Sequence, residues 1–158
     1  MVWNNPPKLK LDISKTKSKV ITPEQLSGGS ESSHQKALFA WAALSNQKYP
    51  QLRWMFAIPN GGSRHIVEAV NLKAAGVKAG VPDIFLPFPL IAIDADHNNL
   101  KYTKCNGLFI ELKVGKNKAS EKQLEWIDYL QKAGYYCKVC YDWEEARDCI
   151  INYLEGRD

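Results

Sequence analysis

The chain has 158 residues, enough for about one domain with a proper core. Its hydrophobic share of 45% and charged share of 24% are those of an ordinary globular protein. No apolar run reaches the roughly 18 residues a membrane helix needs, and MVWNNPPKLKLD at the start lacks the apolar stretch of a signal peptide, so a cytoplasmic protein without membrane association is expected.

The net charge of +4 is uneven, with Lys8, Lys10, Lys15, Lys17 and Lys19 set against Asp12 alone in the first 20 residues. Together with its Pro, Ser and Thr content, this makes residues 1–29 an extended or flexible arm, followed by a domain over 30–158. The arm reads either as a solubilising tail or as an electrostatic contact to nucleic acid. Helical spacing of Leu38, Trp41, Ala42 and Ser45 predicts a helix from near Ser30 to about Asn46, broken at Tyr49-Pro50. LRWMFAI, Leu52 to Ile58, reads as a strand, and Pro59-Asn60-Gly61-Gly62 as a turn. A second helix spans Ser63 to Ala75 and stops at Gly76.

A strand follows at about Val81 to Phe88. DADHNN (Asp94–Asn99) reads as a hairpin tip flanked by LIAI and LKYTK, giving an insert at about 89–105. The next strand is Leu108 to Val114. Ser120 to Ala133 is an amphipathic helix carrying Leu124, Ile127 and Leu130, closed by Gly134. Tyr135 to Tyr141 reads as a last central strand and Trp143 to Leu154 as a final helix. The order α-β-α-β-β-α-β-α predicts an α/β fold with a mixed central sheet flanked by helices. Cys105, Cys137, Cys140 and Cys149 make no disulfide framework in a chain this long. Cys137-Lys-Val-Cys140 has CxxC spacing, but residues three apart on a strand point to opposite faces, so core or edge cysteines are expected.

Chemistry concentrates in GVPDIFLPF and GLFIELKV. Asp83 and Glu111 sit in apolar stretches that read as buried strands, where a charge costs several kcal/mol unless paired. Strand alternation puts Glu111 and Lys113 on one face, and a neighbouring strand can bring Asp83 there. Two carboxylates, with the backbone carbonyl of Leu112, suit Mg²⁺ or Mn²⁺. Such an ion polarises a phosphate and acidifies water, while Lys113 positions or deprotonates that water or neutralises transition-state charge. The competing reading is a structural ion pair of Lys113 with one carboxylate. Glu31 and Gln35 share a helix face four residues apart; Glu31 either completes a metal shell or answers the helix dipole. Gln123 either closes a capping box with Ser120 or serves the site.

Asn60, Gly61, Gly62 and Arg64 form a strand-to-helix turn able to approach a phosphate, or a plain turn. Lys116, Lys118 and Lys122 either contact a nucleic-acid backbone or solvate a helix entrance. DADHNN fails as a calcium loop because Asn99 and Cys105 hold the glycine and final glutamate positions. His34, His65 and His97 have no metal spacing and read as surface or capping groups.

ESSHQ, IPNGGSR, LKAAGVKAGVPDIFL, GLFIELKVGKNKASEKQ and AGYYCKVCYDWEEA, over about residues 30–150, resemble the VRR-NUC domain, the virus-type replication-repair nuclease branch of the PD-(D/E)XK superfamily. The spacing resembles standalone phage and bacterial members. The resemblance implies a restriction-endonuclease-like core and Mg²⁺- or Mn²⁺-dependent cleavage of DNA in a bacterial or phage-infected cell. It makes Asp83 and Glu111 metal ligands, Lys113 the catalytic lysine and Glu31 the helix acid of the metal site with Gln35 beside it. Gln123 takes the polar position after the lysine. It also implies a homodimer acting on Holliday junctions or related branched DNA. The alternatives are a flap- or restriction-type nuclease with the same chemistry, or a non-catalytic DNA-binding module. The DADHNN insert and the lysine-rich arm depart from the family pattern.

Overall fold

A computed structural model describes residues 21–59, 66–94 and 100–157. The lysines of the first 20 residues, the Asn60–Arg64 turn, and His97 with most of the DADHNN tip lie outside the described residues. Four strands form a mixed sheet in the order β1 (Phe56–Ala57), β2 (Ile84–Leu86), β5 (Leu108–Leu112), β6 (Tyr136–Cys140). The β1–β2 and β2–β5 pairs are antiparallel and β5–β6 is parallel. A separate two-stranded antiparallel sheet pairs β3 (Leu90–Asp94) with β4 (Leu100–Cys105). The helices are α1 (Pro23–Leu26), α2 (Glu31–Ser45), α3 (Ile66–Ala74), α4 (Glu121–Lys132) and α5 (Trp143–Leu154). None of the described helices is long and apolar enough to cross a membrane.

Sheet alternation decides where the core lies. Leu108, Ile110 and Leu112 of β5, with Ile84 and Leu86 of β2, face one side and are buried against Ala37, Leu38 and Ala42 of α2 and Ala146, Ile150 and Tyr153 of α5. Phe109 and Glu111 emerge on the opposite side. Helix ends follow their capping residues: Ser30 Oγ accepts from Ser33 N, Ser120 Oγ from Gln123 N, and Asp142 accepts from Glu145 N. Cys140 is buried, Cys137 is half-buried, and both thiols are free.

Three elements differ from the sequence reading. The run Leu52 to Ile58 is not one strand: Pro50–Trp54 is a 3₁₀ helix, and only Phe56–Ala57 pairs. Pro50 starts that turn with its fixed φ, and Leu52 is buried from it as well as it would be from a strand. The arm is folded at its end, because α1 lies within 23–26 and Leu26 packs on the core. β6, expected to be central, stands at the edge of the described sheet. It is apolar because the connections through α4 and α5 cover it, as parallel strands require.

The loop before Asp83 is fixed by a close approach. Gly80 has φ +91°, and a Cβ there would lie 2.9 Å from both the backbone oxygen and the Cβ of Lys122. Gly76 has a similar φ of +94° with nothing within 4 Å of a Cβ. Gly76→Ala is therefore expected to cost only the left-handed backbone penalty, about 1–2 kcal/mol. Gly80→Ala is expected to cost clearly more in urea denaturation, because the loop must also leave α4. Equal losses for the two variants would show that the contact with Lys122 does not constrain the fold.

Candidate active site

The site begins with strand register. Ile84 pairs with Ile110 and Phe85 with Phe109, so continuing the antiparallel register sets Asp83 opposite Glu111 and Pro82 opposite Leu112. Opposed residues share a sheet face, and Lys113 follows on that face two residues after Glu111. Pro82 has no N–H, so it cannot donate to the carbonyl of Leu112 as a ladder partner would. The Leu112 carbonyl instead accepts from Lys113 Nζ at 3.2 Å, while Leu112 N–H donates to Asp83 Oδ2 at 2.9 Å. The proline thus ends the ladder and leaves the Leu112 carbonyl without a main-chain donor from Pro82. Ile58 N–H donates to the Asp83 carbonyl at 2.7 Å and ties β1 to the same loop.

Glu111 is 0% exposed and Lys113 6%. Lys113 Nζ donates to Glu111 Oε1 at 2.6 Å and lies 3.5 Å from Glu31 Oε1. Gln123 makes two contacts at once. Its Oε1 accepts from Ser120 N at 2.8 Å, closing the capping box, and its Nε2 donates to Glu111 Oε1. Oε1 of Glu111 is therefore saturated, whereas Oε2 is buried without a hydrogen-bond partner.

Burial raises the proton affinity of both acids. Glu111 is pushed up to about 7 by burial and by the nearby Asp83 charge, against the hydrogen bond from Lys113. Burial also raises Asp83, although the Leu112 N–H and Lys113 oppose it. For Lys113, burial acts downward, but the Glu111 hydrogen bond and the charges of Glu111, Glu31 and Asp83 outweigh it and hold it above the ordinary lysine value. The unpartnered Glu111 oxygen is thus open to a proton or to a cation.

Other expected site residues are less closely joined. Glu31, its side chain 43% exposed, lies 3.5 Å from Lys113 Nζ, and its charge also raises the proton affinity of Asp83 and Glu111. Among the described residues no three His, Cys, Asp or Glu side chains are grouped to hold a metal ion. Gln35 is half-buried one turn beyond Glu31, with no hydrogen bond to Asp83, Glu111 or Lys113. Lys116, Lys118 and Lys122 are exposed beyond the end of β5. His34 does act as a cap, but of a different helix: its Nδ1 accepts from Trp143 N at 3.1 Å at the start of α5. Its partner is more than a hundred residues away, so no local sequence signal pointed to it.

A divalent cation fits this donor set. The unpartnered Oε2 of Glu111, the Asp83 carboxylate opposite it and the Leu112 carbonyl freed by Pro82 are hard oxygen donors. Mg²⁺ is commonly held by one or two carboxylates with water completing its shell. The VRR-NUC domain model matches residues 29–143 of the chain. A solved structure described as a VRR_NUC domain protein is 28% identical, with a TM-score of 0.60, covering 82% of this chain and 92% of that one. No curated protein matches.

A pH dependence follows from the Glu111 shift. Between 4.5 and about 7 the folded protein holds a proton that the unfolded chain has released, so metal-free stability is highest below this window and declines through it. In a chelator, raising pH from 5 to 8 is expected to cost on the order of 3 kcal/mol, read by thermal or urea unfolding. Glu111→Gln should remove most of that slope, and Mg²⁺ at pH 8 should stabilise wild type but not the variant. A slope unaltered by the substitution would place the titrating group elsewhere.

Proposed function

Because the chain belongs to the VRR-NUC domain family, a nuclease family, we propose that it is a Mg²⁺- or Mn²⁺-dependent DNA endonuclease with a restriction-endonuclease-like PD-(D/E)XK core. The observation that carries the reading is the buried Glu111 carboxylate, with one oxygen saturated by Lys113 and Gln123 and the other unpartnered beside Asp83. A structural ion pair alone has no need of the second acid, and phosphate would be repelled by bare carboxylates at a mere docking site.

Asp83, Glu111 and the Leu112 carbonyl would hold the cation, with Glu31 assisting. When bound, the ion supplies Lewis-acid polarisation of the scissile phosphate and acidifies water. Lys113, held as an ammonium by its acidic neighbours, orients the attacking water and neutralises charge developing on the phosphoryl oxygens. Gln123 holds the Glu111 carboxylate through Oε1 and would leave Oε2 available to an ion, and Gln35 orients groups along the face of α2. Exposed Lys116, Lys118 and Lys122, with the Asn60–Arg64 turn, contact the DNA backbone, and the lysines of residues 1–20 add a sequence-independent attraction. The substrate is a Holliday junction or related branched DNA, cut by a homodimer because two coordinated nicks require two sites.

A cleavage panel of four-way junction, flap, nicked and linear DNA with Mg²⁺ and Mn²⁺ tests this. Cleavage should require metal and favour the branched substrates. Lys113→Ala should lower the rate by at least about 10²–10³-fold while DNA binding persists. Undiminished Mg²⁺-dependent cleavage by that variant would end the assignment, and a monomer by light scattering in the presence of junction DNA would end the resolvase form of it.

A further inference from the structure

We infer that Trp54 and Phe56 form an aromatic platform beside the active site that stacks on an unpaired base of the DNA strand, with Arg53 as its phosphate contact. The inference rests on the nuclease reading above and extends it to a class of substrate feature.

Three observations converge on this segment. First, the chain alternates across a buried residue. Met55 is in the core, whereas Trp54 and Phe56 on either side are 53% and 48% exposed. Two neighbouring large apolar groups turned outward together are less ordinary than one.

Second, register places Phe56 on the catalytic face of the sheet. Phe56 pairs with Phe85 and Phe85 with Phe109, the residue two before Glu111 on the same face. Asp83 is one two-residue step, roughly 7 Å, along β2 from the partner of Phe56. Stacked nucleotides rise about 3.4 Å along one strand, so a base on Phe56 lies about two nucleotides from a phosphate at the acidic pair. Phe56 is also rigidly held. Its ring is 5.7 Å from Phe85 and nearly perpendicular to it, Phe85 stacks on Phe109 at 4.2 Å, and Tyr135 meets both edge-on. Such pre-organisation reduces the ordering cost of binding.

Third, the segment itself carries only positive charge. The Arg53 guanidinium lies 5.7 Å from the Trp54 ring centre, and Lys48 to Phe56, KYPQLRWMF, contains no acidic residue. Aromatic rings beside cations on a track leading to a phosphodiester site are what single-stranded nucleic acid requires. Paired bases inside a duplex hide their faces, so the platform discriminates for strands with unpaired or branch-point bases.

The test uses the full chain in the Lys113→Ala background with Mg²⁺, so that binding is read without cleavage. Two probes are compared: a blunt duplex, and the same duplex with a short single-stranded tail carrying 2-aminopurine. The tailed probe should bind more tightly and be quenched on binding. Trp54→Ala or Phe56→Leu should lower affinity for the tail roughly 5- to 150-fold beyond any effect on the blunt duplex, and Phe56→Tyr should restore it. Leucine keeps the apolar contact with Phe85, so its loss of tail binding reports stacking and not folding. Equal affinities of wild type and both variants for the tailed probe would overturn the platform, as would a change of oligomeric state on Phe56→Leu, which would mark the patch as an interface between copies. If the parent chain cleaves branched DNA while these outcomes occur, the platform alone falls. If it neither binds nor cleaves any DNA, the nuclease reading falls with it.

Discussion

The carboxylate of Glu111, without exposed surface in the middle strand pair of the sheet, is the constraint to which the neighbouring structure answers. An unpaired charge in that position is very costly. Lys113 returns along the same face to meet one oxygen, and the helix that follows delivers Gln123 to it. The ion pair does not use up the motif. The pair makes burial tolerable, and because it occupies a single oxygen it leaves the other without a partner. Removing one partner of a buried pair typically costs 3–5 kcal/mol, so the same groups that equip the site also hold β5 against α4.

Proline in the motif has an equally local cause. By register it faces Leu112 across the two strands, and its missing N–H is what exempts the Leu112 carbonyl from the ladder. Asp83 then takes up the Leu112 N–H with its side chain, so the acid is oriented by the donor the proline segment leaves behind. Gly80 lets the loop before it rest on the backbone of Lys122, which links the Asp83 loop to the first turn of the helix bearing Gln123. Two sequence-distant pieces of the site are thus brought into contact by glycine and proline rather than by side-chain attraction.

Much of this was legible beforehand, and for stated reasons. Glu111 and Lys113 follow from the two-residue period of a strand, and α2, α4 and α5 from their caps and apolar spacing. Gln123 was ambiguous in sequence because its amide has two ends, and the structure employs both. The run from Leu52 to Ile58 was misread because an apolar string does not distinguish a buried strand from a 3₁₀ turn entering one. The edge position of β6 was hidden because helices cover its apolar residues. His34 and Trp54 carried no local pattern at all: the first is defined by a partner more than a hundred residues away, and the second by which side of Met55 faces out.

The small β3–β4 sheet stands between the two motif strands in sequence but outside their hydrogen-bonded register. The chain leaves β2 where Tyr153 donates to the Phe88 carbonyl at 2.7 Å, and rejoins β5 where Asn106 N–H meets the Gly134 carbonyl at 2.8 Å. Leu90 and Cys105 pack on the core at the two ends of this excursion, and beyond them its length bears on the site through loop-closure entropy. That entropy changes by only about 0.6 kcal/mol for each doubling of length. The hairpin is accordingly a place where the chain can be lengthened, shortened or replaced while Asp83 and Glu111 keep their opposition, and variation in reach can accumulate there without any change in the chemistry.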